Sequence, residues 1–222
     1  MAADPVHAPE RSESLAALLG GRGGAIDATL PAVAFGLVWV LWGQIGTGRD
    51  AIVAGSVAAL AVGAAVAVWR WRRGATPRAV VLGLAAVAVG ALIAIRTGRA
   101  SDFFLLQLLS NAASAAAWAV SIVLRWPLLG VVVGGLLGQR FRWRRDPDLL
   151  RAYRWASWIW VAQYLVRVAV FVPLWLADEA LALTAARVVL TWPLVAACLA
   201  ISAWVLKRTL PADHPGIRHP RT

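Results

Sequence analysis

Five polar side chains, Gln107, Asn111, Ser114, Ser121 and Arg125, recur through an apolar run at offsets of 4, 7, 14 and 18 from the first. At 3.6 residues per turn these offsets stay close to one face of a helix. Lipid does not tolerate such a face cheaply, so it is expected to turn toward other helices or a water-filled cavity. Two later segments carry comparable stripes. One holds Trp160, Gln163, Tyr164 and Arg167; the other holds Thr184, Arg187, Thr191, Cys198 and Ser202. Three striped helices imply a shared internal polar surface.

The chemistry available there is recognition of an anion or bonding between helices. At 1.5 Å per residue, Arg187 lies about 10 Å below the outer end of its span, Asn111 about 12 Å and Arg167 about 14 Å. Above them runs a loop with Arg96, Arg99 and Asp102. These six residues, Arg96, Arg99, Asp102, Asn111, Arg167 and Arg187, form the candidate ligand site, and all but Asp102 are expected to converge on one cavity open to the outer side. An arginine near the bilayer midplane costs about 2.5–3.5 kcal/mol on insertion scales, so it needs a partner or a purpose. Two readings stay open. The guanidinium groups tie helices together through carbonyls, Asn111 and the rim acids Asp102, Asp178 and Glu179, or they receive a phosphate or carboxylate.

Enzymatic chemistry is not expected. No Asp, Glu or His falls at mid-span, so no general base is evident in the core, and Cys198 has no neighbouring His. The same lack of carboxylates disfavours proton coupling; Asp27 is the one acid placed to reach inward. The three histidines, His7, His214 and His219, sit in the tails, so no metal site and no cofactor are expected.

The elements that must position these groups are membrane helices. The chain is 60% hydrophobic with a mean hydropathy of +0.70, beyond ordinary soluble domains. Its +11 charge comes from residues flanking apolar runs, so lipid rather than nucleic acid is the expected partner. Runs at 28–44, 51–69, 79–95, 156–176 and 180–206 are long enough to cross a bilayer. The stretch 103–138 holds one further crossing, or two broken at Arg125-Trp126-Pro127. One crossing leaves 16 basic residues on one side and 3 on the other, and two would place loop 140–154 outside, against the positive-inside rule.

The expected fold is therefore all-α: a polytopic bundle of six transmembrane spans with a short half-helix after the fourth. Residues 1–27 and 207–222 are cytoplasmic tails around a membrane domain at 28–206. No cleavable signal peptide is visible at the N-terminus. In the half-helix, 127–138, Gly130, Gly134 and Gly138 form a small-residue ridge suited to close packing. Thirteen tryptophans fall mostly at span ends, with Trp118, Trp160 and Trp192 deeper and expected in packing. Loop residues Arg140, Arg142, Trp143, Arg144 and Arg145 are expected to lie on anionic phospholipid of the inner leaflet, with Phe141 and Trp143 inserted.

A short echo links Val123-Leu124-Arg125-Trp126-Pro127-Leu128 to Val189-Leu190-Thr191-Trp192-Pro193-Leu194. Both prolines are expected to bend their helices. Apart from this echo, a second set of pieces comprises Gly20-Gly21-Arg22-Gly23-Gly24-Ala25-Ile26-Asp27 before Pro31, Arg96-Thr97-Gly98-Arg99 with Asp102, and Asn111. Trp126-Pro127-Leu128-Leu129-Gly130, Trp143-Arg144 and Arg187 follow in order. On these residues, across most of 15–208, the chain resembles the actinobacterial integral membrane family called domain of unknown function 3159. More distantly its layout is similar to the intracellular septation protein A group. The resemblance implies a multi-span protein of the bacterial plasma membrane and supplies no activity. An envelope-maintenance or scaffold role, with membrane-protein partners, is the first expectation. A small transporter or channel for an anionic or lipid-like solute is the alternative.

Overall fold

The computed structural model describes residues 21–74, 77–139 and 141–221. The expected tail therefore lies outside the described residues up to residue 20, as do Arg140 and the side chain of Asp27. Among the described residues seven α-helices follow one another: α1 (Gly21–Trp42), α2 (Gly48–Arg72), α3 (Pro77–Thr97), α4 (Leu105–Val123), α5 (Leu128–Leu136), α6 (Pro147–Leu176) and α7 (Ala180–Thr209). Short 3-10 turns precede α4 at Ala100–Phe104 and α6 at Arg142–Arg144. No strand occurs among the described residues.

Among the described residues four segments are long and apolar enough to cross a membrane: Gly48–Arg72, Ala100–Val123, Pro147–Leu176 and Ala180–Thr209. Two further apolar stretches, Thr29–Trp42 and Val81–Thr97, are shorter. Exposed Leu82, Leu109, Val189 and Trp204 cover the outside of the bundle, as expected of a protein whose solvent is lipid.

Two helical groups face each other. α1, α2 and α3 pack in sequence, while α4 and α7 pack on α6, and α1 meets α7. Glycine permits the closest approaches. A Cβ on Gly55 would meet the Phe35 carbonyl oxygen at 2.9 Å, and one on Gly36 would meet the Thr184 hydroxyl at 2.6 Å. At one end of the bundle a core of Phe35, Phe103 and Phe104 closes the space between the groups. Phe35 and Phe103 stack with centroids 4.2 Å apart, and Phe104 meets both edge-on.

The chain breaks where the sequence suggests. After α4, Arg125 takes φ 55, and the Trp126 N–H reaches back to the Ser121 carbonyl at 2.9 Å. Ser121 also accepts the Leu128 N–H at 3.2 Å, supplying the cap that Pro127 lacks at the start of α5. The ridge of α5 divides its work. Gly130 and Gly134 are buried, whereas Gly138 takes φ 63 past the helix end, where glycine relieves the left-handed strain.

A second core lies at the opposite, arginine-rich end. Trp143 is fully buried between Gly130 and Tyr153, its ring edge-on to the tyrosine at 5.6 Å. A Cβ on Gly130 would come within 2.7 Å of that ring. The segment after α7 does not trail away. Leu210 and Ile217 pack against this core, and Gln139 Nε2 donates to the Ile217 and Arg218 carbonyls at 2.7 and 3.0 Å.

Candidate functional site

The polar stripes meet across the gap between the two helical groups. There a chamber of about 680 Å³ is bounded by every helix except α5. From α4 come Gln107, Ser110, Asn111 and Ser114; from α6, Tyr164 and Arg167; from α7, Arg187. Their spacing on each helix turns one face inward, as the sequence periodicity requires. The facing wall is apolar, built from Pro31 and Ala32, Gly63, Val66 and Ala67, and Gly83, Ala86 and Val87. Arg70, in the last turn of α2, brings a third guanidinium to the lining. None of the chamber's described lining residues is acidic.

Donors dominate the polar wall. Asn111 is 5% exposed, and its Nδ2 has no partner among the described residues. Arg167 donates from Nη2 to the Thr191 carbonyl at 3.3 Å and lies over the Tyr164 ring, while its Nε is buried without a partner. Gln107 adds an unpartnered buried Oε1. Buried polar atoms left unbonded are costly in a dry core, and bound water or a ligand group is the usual remedy. Two or three guanidinium groups with an amide N–H₂ suit the oxygens of a phosphate or carboxylate.

Three members of the expected site lie elsewhere. Arg96 is exposed at the end of α3 and does not line the chamber. Arg99 donates from Nη2 to the Trp175 carbonyl at 2.9 Å and lies 3.9 Å from Asp178. Asp102 accepts the Trp175 indole N–H at 2.8 Å, and Asp178 accepts the Ser101 N–H at 3.2 Å. These groups bolt the turn before α4 to the turn after α6. Asp102 and Asp178 are thereby committed away from Arg167 and Arg187. The lining includes Phe103 of the aromatic core and Arg70 in the last turn of α2.

The stripe itself divides. Ser121 caps the helical break and Arg125 is exposed, so only its first half enters the chamber. Trp160 stacks on Trp118 with centroids 5.2 Å apart and donates to Ser202 at 3.2 Å, which ties α4, α6 and α7 beyond the chamber. Arg70 reads in the sequence as charge at a span end, although Gly63, Ala67 and Arg70 share a face at spacings of 4 and 3. Ser110 shows the same kind of signal, three residues from Gln107 and four from Ser114.

The basic segment also departs from expectation. Trp143 cannot insert into lipid because it is fully buried. Arg142 and Arg145 are exposed, and Arg144 stacks over Trp126 at 3.8 Å. Exposed Phe141 sits beside Trp126, their rings edge-on at 5.4 Å.

Residues 19–213 match the family model described as Protein of unknown function (DUF3159). The chain belongs to this family. No curated protein and no solved structure matches it. Family and apolar helices together identify a membrane protein.

Proposed function

We propose that this DUF3159 protein is a non-enzymatic, six-span protein of the plasma membrane that holds, and passes, an anionic or lipid-like solute in its chamber. Both termini lie on the cytoplasmic side in this reading, following the 16-to-3 division of basic residues. The observation that carries the solute reading is the lining itself: Arg70, Arg167 and Arg187 with Asn111, and no acid among the described lining residues. Arg167 Nε and Asn111 Nδ2 are buried without a partner among the described residues, and buried donors of this kind call for an acceptor.

An envelope-maintenance or scaffold role is the second reading. Exposed Arg142 and Arg145 beside exposed Phe141 favour it, since a basic face with an aromatic edge suits anionic headgroups and docking partners. Trp143 has no part in that face.

Titrating the purified full chain with inorganic phosphate tests the first reading. The wild type is expected to bind, and Arg167→Gln to bind at least tenfold more weakly with a thermal midpoint close to that of the wild type. A wild type that binds no phosphate, with an Arg167→Gln variant of sharply lowered stability, would make the arginines ties between helices.

A further inference from the structure

The chamber's walls are unequal. On the α1 and α2 side Pro31, Gly63 and Ala67 are buried. Between α3 and α4 the wall parts. A Cβ on Gly90 would meet the Phe103 carbonyl oxygen at 2.7 Å, so the segments touch there. Gly83, two turns away on the same face of α3, has nothing within 4 Å of its Cβ position. Opposite, Leu106 is 36% exposed and Ser110 is exposed. The helices therefore splay from the Phe103 contact toward the arginine-rich end, and the side gap faces the bilayer.

The lining is graded across this gap. Gly83, Ala86 and Leu106 at its edges offer a hydrated ion nothing, whereas Arg167, Arg187 and Asn111 lie on the helices behind them. We infer that the occupant is an anionic amphiphile entering sideways from the bilayer, its charged head at the unpartnered Arg167 Nε and Asn111 Nδ2 and its acyl chain in the gap between α3 and α4. This inference rests on the anion-holding reading of the same chamber and adds the ligand class and the route. Head and tail are each met by matching chemistry: charge-assisted donors for the head and a lipid-continuous slot for the chain.

The test uses the full chain in non-ionic detergent with three probes: dihexanoyl phosphatidic acid, dihexanoyl phosphatidylcholine and inorganic phosphate. The wild type is expected to bind the phosphatidic acid at least tenfold more tightly than either of the others. A Gly83→Leu/Ala86→Leu variant, which fills an exposed edge, is expected to lose the advantage of phosphatidic acid over inorganic phosphate. Leu106→Trp on the opposite edge should do the same, and serves if the double variant fails to fold. Equal binding of phosphatidic acid and phosphate would overturn the amphiphile while leaving the anion chamber standing. Equal binding of the two lipids would overturn the anionic head, and an undiminished advantage in both gap variants would overturn the route. No binding of any probe would overturn both readings.

Discussion

Asp146 and His214, 68 residues apart, meet at 2.9 Å with both side chains fully buried. His214 Nδ1 accepts the Gly216 N–H at 2.9 Å, so its Nε2 carries the proton donated to the carboxylate. The other carboxylate oxygen accepts the Asp148 and Leu149 N–H groups at 3.1 and 3.2 Å, capping α6. The Arg221 N–H adds a bond of 2.8 Å, while its guanidinium grips Asp213 at 2.7 Å. One carboxylate thus starts a helix and fastens the C-terminal segment to the end of the bundle.

Asp146→Ala is expected to release that segment. The lost cap and the orphaned donors together amount to about 2–4 kcal/mol. Limited proteolysis checks it: cleavage between α7 and the C-terminus should rise sharply, with the chamber's ligand binding retained. Unchanged protection would contradict the clasp.

Acid should loosen the same clasp. Burial raises the Asp146 carboxyl, but the Arg221 N–H, His214 and the Leu149 N–H outweigh it and hold the group below its ordinary value. A carboxyl depressed on folding adds stability that is fully present above its unfolded value, about 3.9, and is lost as pH falls through the folded one. Protease sensitivity of the C-terminal segment is expected to be flat from pH 7 to about 5 and to climb below about 4. A climb already complete at pH 6 would assign the clasp to another group.

The sequence discloses the chamber better than its surroundings. Helical spacing alone aligns Gln107, Asn111 and Ser114, because a regular helix fixes side-chain direction once one face is committed. Arg99 and Asp102 lie in a turn, where direction is set by Trp175 across the bundle and no period announces it. Trp143 is misleading for a related reason. Amid Arg142, Arg144 and Arg145 it reads as an interfacial anchor, yet a glycine thirteen positions earlier, Gly130, makes the slot that buries it. Asp146-Pro147 is a legible helix start. Its bonds to His214 and Arg221 are not, since residues 210–221 carry neither periodicity nor hydrophobic runs.

Gly130→Ala tests that slot. Its Cβ would intrude on a rigid, fully buried indole, and overpacking of this kind costs about 1–3 kcal/mol. The thermal midpoint should fall, and Trp143 fluorescence should shift to the red as the ring is pushed toward water. A Gly130→Ala protein as stable as the wild type would mean that α5 shifts freely against the loop.

Thiol accessibility at Ser114 bears most directly on the chamber. Ser114→Cys is made in a Cys198→Ala chain and challenged with small charged thiol reagents in inside-out and right-side-out vesicles. With the termini cytoplasmic as proposed, a chamber that runs from Phe103 to Arg70 in the last turn of α2 is expected to be modified from the cytoplasmic face. An anionic reagent should react at least tenfold faster than a cationic one, because like charge repels the latter. Phosphatidic acid or phosphate should protect the thiol. No reaction from either face, or equal rates for the two reagents, would contradict an anion-holding chamber.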